Sequence, residues 1–347
     1  MRVLAVNSLQ PGEGRPAWAG TFVSSQIRSL AERGVQIEEH AFDTREAAGN
    51  PIKALQGIAA RIRATRASLV HAHYGTLTAF MARCATSVPL VISFCGSDLL
   101  GDRVGGAARW KATAGILLSQ LAALGAQQVI VKSRELQSAI WIASRAKSTI
   151  IPNGVDLDRF RPTERSEARK RLGWSQDERI VLFNDGGGNP AKRKGLALQV
   201  YAEVRNRVKG SALRIMGNVA PADVPLWLSA SDVLLVTSLY EGSPNVVKEA
   251  LACNLPIVSV TCGDVAERLE RVRNSRVVPD DPNRLSSAVV EILDRRERSD
   301  GRSRIEELSL DRVANRVLQV YAEALGRSPE LLSSERRDAV GDHSRIC

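Results

Sequence analysis

Short apolar runs alternate with helix-like segments along most of the chain, and this alternation limits the fold more than any other feature. Runs of Val, Ile and Leu bounded by polar residues are typical of parallel strands that are covered on both faces. Strands that alternate with helices predict βαβ units and not a sandwich. In the first half of the chain we predict strands at residues 2–6, 35–42, 69–73, 90–94, 128–131 and 148–151.

The same pattern returns in the second half, with strands predicted at residues 179–183, 212–216, 233–237, 257–260 and 276–278. Between the halves, Pro and Gly in residues 151–162 mark a boundary. A chain of 347 residues is long for one domain. We therefore expect an α/β fold of two Rossmann-like doubly wound domains that face a cleft. The predicted divisions are a first domain at 1–155, a second domain at 156–307, an amphipathic helix at 308–325 and a disordered tail at 326–347.

A helix start with a glutamate on either side follows the predicted strand 233–237. Ser243 is a suitable N-cap and Pro244 a suitable first helical residue. A helix N-terminus at the carboxyl end of a strand is where an open α/β sheet binds anions. Glu241 precedes this helix and Glu249 lies within it, which suits a sugar joined through a diphosphate to a ribonucleoside. The alternative is a loop carboxylate and an unrelated solvated helix carboxylate.

Residues 227–252, which contain both glutamates, resemble the glutamate-seven-glutamate region of family-four retaining glycosyltransferases, most of all those of bacterial surface-polysaccharide assembly of the teichuronic acid type. The resemblance implies the GT-B architecture, with the helix at 308–325 crossing back onto the first domain. It implies a UDP-sugar or GDP-sugar as the donor substrate and no cofactor. It also implies that Glu249 holds the ribose hydroxyls and Glu241 the hydroxyls of the donor sugar. The expected diphosphate-binding turn consists of Gly242, Ser243, Pro244, Asn245 and Val246.

A glycine-rich and basic loop follows the predicted strand 179–183 and resembles the diphosphate loop of the same family. Lys194, which stands before Gly195, matches the family's phosphate lysine. The family's Gly-Arg pair is absent, and Gly187 and Gly188 occupy that place. The role of the arginine then passes to Arg193 or Lys192, or is unfilled. The alternative to a phosphate loop is a solvated basic turn.

Four further residues of the first half are candidates for the cleft. Gly20 resembles the family's N-terminal glycine loop, where a glycine lets backbone approach the sugar and the acceptor. Asp98 is predicted to bind a sugar or acceptor hydroxyl, and with Glu241 and Lys194 it forms the predicted catalytic set. Cys95 stands where many relatives carry a histidine, so a histidine contact near the sugar is not expected. A structural role is expected for His73, with a place on the acceptor side as the alternative.

The net charge of +10 and an aromatic content of 4% limit the partners. Few aromatics and no basic stripe argue against single-stranded nucleic acid, which leaves phosphate ligands and an anionic membrane. Residues 52–66 and 109–124 mix cations with apolar residues, as membrane-surface helices do, but core-packed helices with solvated basic faces explain them as well. Five scattered cysteines favour the cytoplasm. No Asp-x-Asp pair ends a strand, so we expect no metal, and Asp264 is interpreted as a helix N-cap.

These features together predict a metal-independent retaining glycosyltransferase that extends a cell-surface glycan or a lipid-linked acceptor. A nucleotide-sugar 2-epimerase of the same fold is one alternative. A non-catalytic sensor of sugar nucleotides is the other.

Overall fold

The computed structural model describes residues 1–8, 20–101 and 109–327, and its strands form two separate parallel sheets. The prediction of two doubly wound α/β domains is therefore confirmed. The tail expected at 326–347 falls almost wholly outside the described residues.

The first domain contains six parallel strands with helices on both faces of the sheet. Its elements are β1 (Arg2–Asn7), α1 (Thr21–Ala31), β2 (Gln36–Ala41), α2 (Thr44–Gly49), α3 (Pro51–Thr65), β3 (Leu69–His73), α4 (Thr76–Ala85), β4 (Leu90–Ser93), α5 (Ser97–Leu100), α6 (Arg109–Gly125), β5 (Gln128–Val131), α7 (Arg134–Ala139), α8 (Ile142–Arg145) and β6 (Ser148–Ile150). The strand order is β2-β1-β3-β4-β5-β6, so the topological switch point lies between β1 and β3.

The second domain has a five-stranded parallel sheet. Its elements are α9 (Arg165–Leu172), β7 (Arg179–Phe183), α10 (Lys194–Arg207), β8 (Ser211–Ile215), α11 (Val224–Ala230), β9 (Val233–Val236), α12 (Asn245–Ala252), β10 (Ile257–Ser259), α13 (Val265–Leu269), β11 (Arg276–Val277), α14 (Pro282–Arg295), α15 (Gly301–Ile305) and α16 (Leu310–Ala324). The order β11-β10-β9-β7-β8 places the switch point between β7 and β9. Open α/β sheets bind ligands at that point, beyond the carboxyl ends of the strands.

Helix α16 begins in the second half of the chain and packs on the first sheet and on α1. Burial of its apolar face explains the position, since Val313, Val317 and Tyr321 are all buried. The Tyr321 hydroxyl and His71 Nδ1 are 2.7 Å apart, which ties the helix to β3.

The chain passes between the domains twice, and the two passages are hydrogen-bonded to each other. Val155 forms a parallel bridge with Ser309. The Val155 N–H donates to the Leu308 carbonyl at 2.8 Å, and the Leu310 N–H donates to the Val155 carbonyl at 3.1 Å. The two connections therefore run side by side. No helix among the described residues has both the length and the apolar composition that a bilayer crossing requires.

Candidate active site

Glu241 lies in the loop between β9 and α12, Glu249 lies within α12, and this helix starts one residue later than predicted. Helix α12 begins at Asn245, with Pro244 in the N-cap position and no side-chain cap. The expectation that Ser243 is the N-cap is therefore wrong. Its hydroxyl instead donates to Asp264 Oδ2 at 2.9 Å and accepts from Lys248 Nζ at 2.9 Å. Ser243 is thus fixed by side chains and not by the helix end.

The side chains of Lys248 and Asp264 hold the loop between β9 and α12 in place through Ser243. Both are buried, and Lys248 Nζ also donates to the Ser243 carbonyl at 3.2 Å. Burial lowers the pKa of Lys248 to about 8, and the charge of Asp264 opposes that shift. Asp264 occupies the N-cap position of α13, as predicted, but its carboxylate makes no cap hydrogen bond there. Instead it binds the Ser243 hydroxyl and lies 3.4 Å from Arg268 Nε.

Glu241 and Glu249 line the same cavity, which lies between the domains and has a volume of about 330 Å³. The turn Gly242-Ser243-Pro244-Asn245-Val246 forms the wall between them. The Glu241 carboxylate is paired with Lys192 Nζ and accepts from the Ser238 hydroxyl at 2.9 Å. Burial raises the pKa of Glu249 to about 7, against the opposing charges of Lys248, Arg159 and Lys192. The two carboxylates thus differ, because only Glu241 has an ion pair.

The remaining walls of this cavity come from both domains. Gly20, in the left-handed conformation at φ 72°, lines it from the first domain together with the start of α1. Asn184 and Gly186 line it from the loop after β7. The cavity therefore lies at the switch point between β7 and β9, where the strand order predicts a ligand.

Lys192 and Arg159 are the cations that line this cavity among the described residues. Arg193 is turned elsewhere, because its Nε donates to the Thr237 carbonyl at 2.6 Å and its guanidinium pairs with Asp280. Lys194 is half-exposed and lies 3.3 Å from Asp185. Of the two residues predicted to replace the family's arginine, Lys192 is thus the one at the cavity. Arg159 was missed by the sequence reasoning, although it belongs to the boundary segment 151–162.

Asp98 is fully buried, which is the clearest departure from the predicted catalytic set. Its carboxylate accepts from the backbone N–H groups of Gly75 at 2.8 Å, Gly96 at 2.7 Å and Cys95 at 3.0 Å. Burial raises its pKa, and these three N–H groups act in the opposite direction. The prediction that Asp98 contacts a substrate hydroxyl is corrected, because its oxygens are already used to shape the loops after β3 and β4.

A second cavity of about 420 Å³ adjoins the first. It shares Cys95, Asn189, Glu241 and Gly242 with the first cavity. Its own lining includes Tyr74, Thr76, Ser97, Lys111 and Tyr240. Burial raises the pKa of the Cys95 thiol to about 12, so the side chain at the junction is a neutral thiol and not a nucleophile.

His71 and His73 lie beneath this cavity and line neither one. Both are buried, with ring centroids 4.0 Å apart. Burial, and then the charge of Lys132, lowers the pKa of His73 to about 3, so the ring stays neutral. The structural role expected for His73 agrees with its burial, and Tyr74 takes the place at the cavity. Among the described residues no group of three His, Cys, Asp or Glu side chains is arranged to hold a metal ion.

Two family models match the chain in succession. The model "Glycosyltransferase Family 4" matches residues 17–159, and the model "Glycosyl transferases group 1" matches residues 178–295. The putative teichuronic acid biosynthesis glycosyltransferase TuaC of Bacillus subtilis is 26% identical over 64% of this chain, and the match spans 60% of that relative's length. A D-inositol 3-phosphate glycosyltransferase of Geodermatophilus obscurus is 24% identical over 96% of this chain and 90% of its own length.

The solved structures give the same fold. Sucrose-phosphate synthase of Thermosynechococcus elongatus superposes with a TM-score of 0.78 at 18% identity, over 94% of this chain and 100% of that chain. The two parallel-sheet domains of this chain thus have the arrangement called GT-B.

Proposed function

The chain belongs to the GT-B glycosyltransferases that these two family models describe, and from that premise we propose that it is a metal-independent retaining enzyme. In this proposal it moves a sugar from a UDP-sugar or GDP-sugar to a cell-surface glycan or a lipid-linked acceptor in the cytoplasm. One observation carries the proposal. Glu241 and Glu249 line one interdomain cavity, on either side of the turn that starts α12.

The donor lies across that turn with its two ends on the two glutamates. Glu249 accepts hydrogen bonds from the ribose hydroxyls, and Glu241 accepts from hydroxyls of the sugar. The diphosphate lies between them, beside the free N–H groups at the start of α12, which favour negative charge. Lys192 is paired with Glu241 and therefore reaches the same part of the cavity.

Catalysis in this arrangement is electrostatic. Negative charge develops on the diphosphate as the glycosidic bond breaks, and each well-placed donor lowers the barrier by a few kcal/mol. Lys192 and Arg159 are the cations available at the cavity, so they take the part that other transferases give to a metal ion. Glu241 is held by Lys192 and Ser238, which suits a positioning group better than an attacking one.

Retention of the anomeric configuration follows if the acceptor attacks from the face that the diphosphate leaves. The second cavity meets the first at Cys95, Asn189 and Glu241, so an acceptor there reaches the sugar from the side of the first domain. The leaving diphosphate then takes up the acceptor proton, and the protein supplies no base.

The test is incubation of the protein with UDP-sugars and GDP-sugars and a lipid-linked acceptor. Extension of the acceptor with an unchanged anomeric configuration by NMR, in the presence of EDTA, supports the proposal. Inversion at C2 of the donor with no transfer would make the protein an epimerase. Tight donor binding without either reaction would make it a sensor.

A further inference from the structure

Helix α6 has one face on the second cavity and another in solvent. Lys111, Ala112 and Gly115 line the cavity. On the opposite side four apolar residues are exposed, by 67% at Trp110, 48% at Leu117, 40% at Leu121 and 43% at Leu124. Their spacing of seven, four and three residues puts them on one helix face. We call these four residues the α6 stripe.

The α6 stripe points away from the sheet, since Ser119, Ala122 and Ala123 occupy the buried side of the same helix. Packing therefore does not explain it. This outcome differs from that in α3, where Ile58 and Ile62 are buried in the core. Of the two segments that resembled membrane-surface helices, only α6 leaves its apolar face uncovered among the described residues.

A second apolar segment extends the α6 stripe. Trp141 is 43% exposed and Ile142 is 83% exposed. Gln120 of α6 holds this segment in place, because its Nε2 donates to the Ala139 carbonyl at 2.8 Å and its Oε1 accepts from the Trp141 N–H at 3.0 Å. The exposed apolar surface thus includes two tryptophans, a residue type that favours the boundary between lipid and water.

Four helices on this side of the domain carry cations and no carboxylates. Helices α3, α4, α6 and α8 pack one against the next, and none of them contains an aspartate or glutamate. The cations of these helices include Lys53, Arg61, Arg63, Arg83, Lys111 and Arg145. Lys53 and Arg63 are exposed and lie on the side of α3 opposite to Ile58 and Ile62. A layer of cations around an apolar stripe complements an anionic lipid surface.

We propose that the α6 stripe lies in the interface of an anionic bilayer and that α6 leads an amphiphilic acceptor from that bilayer into the second cavity. The route of the acceptor rests on the proposed function, whereas the docking surface does not. Lys111 stands at the cavity lining on the same helix, where it pairs with a phosphate between the lipid and the sugar. A second copy of the chain is a poorer occupant, because a two-fold contact would bring this layer of cations against itself.

The first test is sedimentation of the full chain with vesicles. Vesicles that contain phosphatidylglycerol should bind the protein, vesicles of phosphatidylcholine alone should not, and binding should weaken as salt is added. The triple variant Leu117→Gln, Leu121→Gln, Leu124→Gln should bind these vesicles with an affinity that is lower by about tenfold or more. Leu198→Gln is the matched control, because Leu198 is 46% exposed but lies on α10 of the other domain. Equal binding of the triple variant and the parent would overturn the proposal.

The second test uses charge and separates docking from folding. Lys53→Glu with Arg63→Glu changes two exposed side chains that line neither cavity, and it should also weaken vesicle binding. The thermal shift produced by UDP or GDP should be the same in all variants, so that loss of vesicle binding is independent of donor binding. If the parent instead sediments as a dimer that the triple variant dissociates, and binds no vesicles, the stripe is a protein interface and the proposal is wrong.

Discussion

Gly242 and Cys95 bring the backbones of the two domains into contact at the centre of the cleft. A Cβ atom at Gly242 would lie 1.9 Å from the Cys95 carbonyl oxygen, which is far inside van der Waals contact. A Cβ at Gly96 would likewise lie 3.1 Å from the Gly242 nitrogen. The domains meet this closely because both segments carry glycine.

Gly242→Ala should therefore keep the domains apart. We expect kcat/KM to fall by about 100-fold, since a shift of about 1 Å between reacting groups has that effect. Gly57→Ala is the control, because Gly57 lies on α3 and a Cβ added there would meet no atom within 4 Å. Steady-state kinetics with thermal unfolding checks the pair. A Gly242→Ala enzyme with parental kinetics would mean that the contact has no part in turnover.

Glu249→Gln should weaken donor binding above neutral pH. The pKa of Glu249 is about 7, so the carboxylate that accepts the ribose hydroxyls forms as the pH rises through that value. Donor affinity of the parent should rise between about pH 6 and pH 8, whereas the variant should show no such rise and bind about tenfold more weakly at the upper end. Calorimetric titration with UDP or GDP checks this. Parallel pH profiles would exclude the ribose role.

The same substitution should stabilise the free protein at high pH. The folded-state pKa of Glu249 is raised above its ordinary value of 4.5, so the folded protein prefers the neutral carboxyl. Stability is therefore lost as the pH rises from about 4.5 through about 7, and the loss is complete above that. Glu249→Gln should raise Tm by roughly 2–4 °C at pH 8 and leave it unchanged near pH 4. A lower Tm at pH 8 would contradict the direction of the shift.

Lys192→Ala should lower kcat more than Lys194→Ala does. Lys192 lines the donor cavity and pairs with Glu241, whereas Lys194 is half-exposed and pairs with Asp185. We expect a loss of about 100-fold or more at Lys192, because a donor to the leaving group is removed, and less than about tenfold at Lys194. Lys192→Arg should recover part of the loss. The reverse ranking would restore the role that the sequence assigns to Lys194.

Asp98→Asn should act on stability and not on the chemical step. The amide keeps one acceptor oxygen for the N–H groups of Gly75, Cys95 and Gly96 and places an NH₂ group against the others. A loss of roughly 1–3 kcal/mol in the free energy of unfolding is expected, with donor affinity unchanged. Urea unfolding and donor titration check this. A large fall in kcat with unchanged stability would show that Asp98 acts in turnover.

The sequence reveals the sheets and the position of the donor cavity, because both depend on local patterns. Apolar strand runs place most strand bounds within one or two residues, and the Glu241–Glu249 spacing marks the cavity wall. Side-chain partners depend on residues distant in sequence and could not be predicted in this way. Asp98 follows a strand as a substrate ligand would, but its carboxylate accepts hydrogen bonds from the backbone of the loops after β3 and β4. Lys192 and Arg193 are adjacent in sequence, yet Arg193 has a left-handed backbone conformation and binds Thr237 and Asp280, away from the cavity.

The bridge between Val155 and Ser309 limits how the enzyme can open. Two chain connections between the domains would resist most rotations of one domain against the other if they lay far apart. Here the two connections are hydrogen-bonded to each other at one place. We expect that place to act as a pivot about which the cleft opens, with α16 moving together with the first domain on which it packs. Deletion of α16 would remove no lining residue of either cavity. We expect it nevertheless to free the second domain from its attachment to the first domain.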